Sequence, residues 1–351
     1  MPPAPRCSFA SDNFAGAHPR VVEAIAAANT GHVTAYGADA HTAECEARFR
    51  DLFGPAAQTF LVFTGTGANV LALATMLKPA QAIVCTSWSH IAVDETGAPE
   101  RILGAKLIGL PSDDGKVRPE QLDELAHLIG VTHHAQPGVV SLTQSTELGT
   151  LYTADETAAL CDTAHRLGML VHVDGARIAN AVAALGGTVA ALRSLTVDAG
   201  VDVLSFGGTK NGLLGGEAVV YLNPELATAA RFVRKQVTQL ASKMRFVAAQ
   251  FNVLIDDGLW IELATHANEM AALLHRRTSD IETVELGAPP TVNSVFPRLP
   301  PSAIEPLREW CFFWDWDLSS HQVRWMTAWD TTVDDVEVFA EGVAKILATC
   351  N

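Results

Sequence analysis

VDVLSFGGTKNG, residues 201–212, is an apolar run that stops at two glycines and then presents a lysine, Lys210. A short apolar run bounded by glycine reads as a strand covered on both faces, and such strands belong to mostly parallel sheets. The glycines let the chain turn sharply and let a planar ligand approach the backbone. A lysine at the end of a buried strand is partly desolvated, which lowers its pKa and frees its amine as a nucleophile. Taken alone, the same tetrapeptide TKNG also suits a solvated loop lysine.

Working outward, similar runs recur at 58–63, 81–86, 105–110, 137–143, 168–174 and 217–222, with helical patterns at 68–78, 119–129 and 155–168 between them. Asp155 is read as the N-cap of the last of these and Gly168 as its C-terminal stop. Strands separated by helices mean βαβ crossovers. Beyond about residue 225 the texture changes. One long helical stretch covers 225–250, another runs over 259–278, and TVNSVFPRL, REWCFFWDWDLSS and HQVRWMTAW read as strands before a closing helix from about Thr332. The expected division is an N-terminal arm over 1–15, a large α/β domain over 16–255 and a smaller α+β domain over 256–351.

In such sheets ligands bind outside the carboxyl ends of the strands, and the chemical motifs fall there. In MLVHVDGARIANA (169–181) a strand ends in Asp174, with Arg177 close behind. A carboxylate there can keep a pyridine nitrogen protonated, which makes the ring an electron sink; alternatively it caps the following turn. FTGTGANVLAL (63–73) is a strand, a Gly65–Thr66–Gly67 turn and a helix start, whose free amides suit a phosphate. It is neither a Walker motif nor the GxGxxG of dinucleotide folds, so a nicotinamide dehydrogenase is disfavoured. His90 follows the run AIVCTSW and is placed to lie over an aromatic ligand. Lysine, acid and phosphate turn on neighbouring strand ends are what pyridoxal 5'-phosphate requires.

These residues lie within an ordered series: FASDNFAGAHP (9–19), AYGADAHTAECE (35–46), GTGAN (65–69), SHIAVDETGAPE (89–100), SLTQSTELGTLYT (141–153), HVDGARIANA (172–181), SFGGTKNGLLGGEAVV (205–220), SKMRF (242–246) and QVRWMT (322–327). The series resembles the low-specificity L-threonine aldolases and phenylserine aldolases, pyridoxal-phosphate enzymes of the β-eliminating lyase group with the aspartate-aminotransferase-like fold type I. The resemblance implies that Lys210 holds the cofactor as a Schiff base, that Asp174 pairs with its ring nitrogen and that His90 stacks on the ring. It implies a phosphate cradle at Gly65, Thr66 and Gly67, with Arg245 lent by a neighbouring subunit. It places Ser11, Arg177 and Arg324 at the substrate α-carboxylate, and has Tyr36 entering a partner's site. It further implies retro-aldol cleavage of L-β-hydroxy-α-amino acids to glycine and an aldehyde, in a homo-oligomer of catalytic dimers, usually a tetramer. The alternative is another fold type I enzyme, a β-eliminating lyase or an aminotransferase.

One departure stands out. Some threonine aldolases carry a second histidine in an Asn-Thr-His segment, where this chain reads QSTELGT. That wording suits the phenylserine-type branch but leaves the base for the substrate hydroxyl open. His133 and His134 precede the strand and belong at its far end, as solvated turn residues. No metal site is expected, since no histidine or cysteine spacing suits zinc.

Composition bounds the remaining classes. A formal charge of −15 argues against nucleic acid and anionic lipid. No run is long and apolar enough for a signal peptide or a membrane span. The six cysteines, scattered and without CxxC, read as small core residues in a reducing cytoplasm. Trp310, Trp314, Trp316, Trp325 and Trp329 read as core or interface, with an aromatic substrate pocket as the alternative.

Overall fold

The computed structural model describes residues 3–350. Seven strands form the central sheet: β1 (Gln58–Val62), β2 (Gln81–Thr86), β3 (Lys106–Leu110), β4 (Gln136–Thr143), β5 (Leu170–Gly175), β6 (Val203–Gly207) and β7 (Glu217–Tyr221). Their order is β1-β7-β6-β5-β4-β2-β3, and β7 alone runs antiparallel to its neighbours. Strands β6 and β7 are buried at every residue, as expected of a sheet covered by helices on both faces. All seven strands fall on the apolar runs of the sequence. A second, antiparallel sheet of order β8-β10-β9 is built from Ser294–Val295, Trp314–Asp317 (β9) and Gln322–Met326 (β10).

The described residues form three apolar cores. The first covers one face of the central sheet, with Phe49 and Trp260 packed edge to face on Phe206. The second, beside the small sheet, gathers Phe9, Phe313, Trp325 and Phe339. A third covers the other face of the central sheet with Leu71, Ile83, Val203 and Tyr221. The helix Leu259–Thr278 joins the first two, giving Trp260 and Leu263 to the first core and Met270 and Leu274 to the second.

Several sequence expectations shift. The helix over 154–166 is capped by Thr153, not Asp155, because Thr153 and Glu156 complete a reciprocal capping box. The helical stretch 225–250 is broken: a 3-10 turn at Pro224–Ala229 and a helix at Ala230–Gln236 are separated from the helix Arg245–Ile255 by Val237–Met244. Pro301–Trp310 is helical, where a strand had been read from Arg308, and its apolar side buries Ala303 and Leu307. Trp310 therefore sits on a helix, stacked on Phe339 at 5.8 Å. The tryptophans do not form one cluster: Trp325 is core, Trp314 is exposed, and Trp316 stacks parallel to Trp88 at 6.4 Å.

Strand register converts this architecture into a site. Thr143 pairs with Asp174, and Asp174 with Ser205, so β4, β5 and β6 end level with one another. Side chains just beyond those ends must converge. His133 and His134 lie exposed in the turn before β4, at the opposite end.

Candidate active site

A cavity of about 280 Å³ opens at the carboxyl ends of the strands. Lys210, Asp174, His90, Arg177, Gly65 and Thr66 all line it. Gly67 lies just behind them, where an added Cβ would meet the Gln239 side chain at 2.3 Å.

Lys210 follows β6 in a 3-10 turn, Thr209–Asn211. The glycines before it are needed for a reason other than the one the sequence suggested. A Cβ on Gly207 would meet the Ala176 carbonyl at 2.3 Å and one on Gly208 the Gly216 carbonyl at 2.6 Å, so neighbouring backbone, not ligand, claims the space. Burial first, and then the Arg177 cation, hold the Lys210 amine below its ordinary pKa. Among the described residues Nζ accepts and donates no hydrogen bond.

Asp174 is fixed from two sides. Its Oδ1 accepts from the Ala176 amide at 3.0 Å, and its Oδ2 from Asn69 Nδ2 at 2.8 Å. The same Asn69 amide donates to Glu95 Oε1 at 2.8 Å, and Glu95 Oε1 lies 2.9 Å from His90 Nδ1. With Glu95 ionised, Nδ1 carries the proton and Nε2 is the free edge of the ring. The Glu95 contact, against some loss from burial, raises the His90 pKa. His90, Glu95 and Asp174 thus bring ligand atoms within 4.8 Å of one another, with the Asn69 amide donating to one oxygen of each carboxylate and Glu95 Oε2 left without a partner among the described residues. Asn69 and Glu95 escaped the sequence reading. Their signal was present in GTGAN and SHIAVDE, yet only the tertiary fold brings residues 69, 95 and 174 together.

Gly65–Met76 is a helix capped by the Thr64 hydroxyl, which accepts from the Gly67 amide at 3.0 Å. The amides of Gly65 and Thr66 keep no protein partner among the described residues and stand at the positive end of the helix, an arrangement that fits a phosphate. Gln239 closes this corner, accepting from the Phe63 amide at 3.0 Å.

Arg177 makes a two-point ion pair with buried Asp12, Nε to Oδ2 at 2.7 Å and Nη2 to Oδ1 at 2.9 Å. Asn293 donates to the same carboxylate at 3.1 Å. Burial alone would raise Asp12, but Arg177 holds it below the usual carboxylate range. Arg177 therefore already has an anion. Arg324, on β10, does not line the cavity and has no carboxylate. It stacks on Trp316 at 5.0 Å, reaches Ala10 O at 3.4 Å, and its buried Nε is unpartnered. Burial and the nearby Arg177 cation push its pKa down to about 10.

Three further residues of the sequence reading stand apart from the cavity. The Ser11 hydroxyl accepts from the Asn13 amide at 3.2 Å and faces a separate depression. Tyr36 is exposed, in the left-handed region at φ 63, with Lys235 over its ring. Arg245 donates to the carbonyls of Thr30 and Gly31, away from the cavity.

With this geometry in hand, kinship can be assigned. The beta-eliminating lyase family model matches residues 8–299. The chain belongs to that family. It is 41% identical to a low specificity L-threonine aldolase of Pseudomonas sp. over 97% of this chain and 98% of the relative. Identity is likewise 41% to the enzyme of that name from Pseudomonas aeruginosa, over 97% of both chains. A solved threonine aldolase from Leishmania major superposes with a TM-score of 0.91 at 30% identity, covering 97% of this chain and 99% of that one. The architecture is thus the fold type I arrangement of this pyridoxal-phosphate family.

Proposed function

We propose that this protein is a pyridoxal-phosphate aldolase that cleaves L-β-hydroxy-α-amino acids, of the L-threonine, L-allo-threonine and phenylserine kind, into glycine and an aldehyde. The observation that carries the reading is one cavity holding a desolvated lysine, a rigidly held aspartate and two unpartnered amides at a helix start. Those are the three fixed points the cofactor needs: aldehyde, ring nitrogen and phosphate. When bound, the cofactor supplies a ring that accepts the electron pair released from Cα.

The chain's own residues do the rest. Lys210, its amine disfavoured as ammonium, binds the cofactor aldehyde. Asp174, immobilised by Asn69 and the Ala176 amide, keeps a proton on the ring nitrogen. His90 covers the ring, its tilt set by Glu95. Gly65, Thr66 and Gly67 form the phosphate corner. Arg324 takes the substrate carboxylate, because it lies near Arg177 at the edge of the site and has no carboxylate partner among the described residues. Arg177, already neutralised by Asp12, positions rather than grips. Ser11 joins the carboxylate site through its O–H, which stays free to donate while the oxygen accepts from the Asn13 amide.

The protein works as a homo-oligomer, a catalytic dimer or a tetramer of two such dimers. Tyr36 supports this: a tyrosine held at positive φ and exposed is costly to maintain without a function. Arg245 likewise points away from its own protomer's cavity and serves a partner's phosphate corner. The domain division stands at 1–15, 16–255 and 256–351, supported by the change of core along the helix Leu259–Thr278. A reducing cytoplasmic setting suits six cysteines that are all free thiols.

The test is an assay of purified protein with L-threonine, L-allo-threonine and phenylserine side by side. Glycine released without any keto-acid supports the aldolase reading and ranks the side chains. A requirement for a keto-acid, or pyruvate in place of glycine, replaces it with a transaminase or β-eliminating reading.

A further inference from the structure

QSTELGT, the segment after β4 that lacks a second histidine, brings Glu147 into the cavity. Its position is set by the chain around it. Oε1 accepts from the His90 amide at 2.6 Å and from the Thr143 hydroxyl at 3.1 Å. Oε2 is out of solvent contact and has no partner among the described residues. A buried carboxylate oxygen without a donor is costly and rare in a folded protein. Here it belongs to a residue that lines the same cavity as Lys210, Asp174 and His90. Among the described residues no cation is paired with Glu147; Asp174 on β5, Arg177 beyond β5, the Tyr152 hydroxyl and the Cys85 thiol interact with it, and His90, Glu95, Lys210 and Glu217 share its cavity.

We propose that Glu147 is the base for the substrate β-hydroxyl, acting through its Oε2. The inference rests on the aldolase reading. In the cleavage direction the O–H bond breaks and its proton passes to Oε2. The O–H electron pair becomes the second bond of the aldehyde C=O, the Cα–Cβ bond breaks, and its pair stays with Cα. Protonation of Cα then gives glycine, and Glu147 is left as carboxylate once its proton is surrendered, so substrate equals aldehyde plus glycine. Burial, reinforced by Asp174, pushes the Glu147 carboxyl up to about 7 despite the hydrogen bonds it accepts. A group poised near the working pH is suited to take and return a proton. His90 keeps two tasks, covering the ring and anchoring Oε1 through its amide.

Glu147→Gln preserves shape and the acceptor at the His90 amide while abolishing the base. The expected result is a fall in kcat of about 10²–10³-fold with KM within about threefold, and loss of the acidic limb near pH 7 from the kcat/KM profile. Cofactor absorbance and thermal midpoint should match the parent. Glu147→His, which supplies a base of another kind at the same place, should recover at least tenfold of that loss. A Gln variant within threefold of the parent, or with its acidic limb intact, overturns the proposal alone. Parent protein that releases no glycine overturns the aldolase reading, and this one with it. Should Glu147→Gln not fold, isotope-edited infrared spectra of the parent and of Glu217→Gln decide. A glutamic carboxyl titrating near 7 that persists in Glu217→Gln, the other buried glutamate of the cavity, is expected, and its absence from that variant overturns the proposal.

Discussion

The sheet-end wall of the cavity and the small-sheet wall beside it carry similar charges in opposite conditions. On the sheet-end side Arg177 is answered by Asp12, Asp174 by Asn69 and the Ala176 amide, and His90 by Glu95, while Oε2 of Glu147 and of Glu95 keep no partner among the described residues. On the small-sheet side Arg324 is buried against Trp316 with no acid and an orphaned Nε. The paired wall is finished before any ligand arrives, which favours precise placement of a cofactor. The unpaired wall is finished only by an incoming anion, so its binding energy is available for orienting substrate. Lys210 belongs to neither condition: burial first, and then the Arg177 cation, hold its amine below its ordinary pKa.

The strongest way to break this picture is Lys210→Ala. Loss of the visible cofactor absorbance and a drop in turnover of roughly 10⁴-fold or more are expected. Retained steady-state turnover would remove the lysine from the centre of the site.

The next test sets the two arginines against each other. Arg177→Ala strands the buried Asp12 carboxylate and should cost about 3–5 kcal/mol of stability by denaturant unfolding. Arg324→Ala strands nothing, so stability should stay within about 1 kcal/mol of the parent. KM for the amino acid should instead rise about 10–100-fold, the worth of a charge-assisted hydrogen bond pair, with cofactor binding intact. If both variants lose stability alike, the two walls do not differ as described.

How far the sequence led follows the same divide. The central strands and the sheet-end residues Lys210 and Asp174 were legible because buried parallel strands are written as local apolar runs and their chemistry sits just after them. The small-sheet wall was less so. The bulky run from Arg308, REWCFFWDWDLSS, reads as strand from its start, and only the packing of Pro301–Trp310 against the second core makes its first three residues helical. The partners that finish the paired wall were illegible for another reason. Asp12 meets Arg177 across 165 residues and Asn69 meets Asp174 across 105, and no local pattern records such distances. Glu147 stands in QSTELGT, but no local pattern there marks its carboxyl as buried in the cavity beside Asp174.

Acid sharpens the paired side further. Asp12 has a folded pKa below its unfolded value of about 3.9, so its contribution is complete above that value and is lost as pH falls toward the folded one. The Asp12 contribution, read as the difference in unfolding free energy between the parent and Asp12→Asn from pH 6 to 3, should therefore hold until about pH 4 and then decline. That decline should amount to about 1–3 kcal/mol at the acid end. A difference flat across this range would mean the ion pair contributes nothing to the finished wall.

The smallest effect probes the corner where the paired wall meets the phosphate cradle. Gly67 lies in the first turn of its helix, and a methyl there would come within 2.3–2.6 Å of the Gln239 carboxamide. That carboxamide is the far end of a flexible side chain, so it can swing aside, but only by releasing the Phe63 amide it holds at 3.0 Å. One lost hydrogen bond costs about 1 kcal/mol, while glycine to alanine inside a helix returns up to about 1 kcal/mol. Stability of Gly67→Ala should thus stay nearly level. Cofactor affinity should fall by about 3–10-fold, because Phe63 lies just before the Gly65 and Thr66 amides. Gln239→Ala on the Gly67→Ala background relieves the clash without restoring the Phe63 contact. If the double variant binds cofactor no better than the single one, the hydrogen bond, not the crowding, tunes the cradle. If Gly67→Ala binds as tightly as the parent, the cradle owes nothing to Gln239.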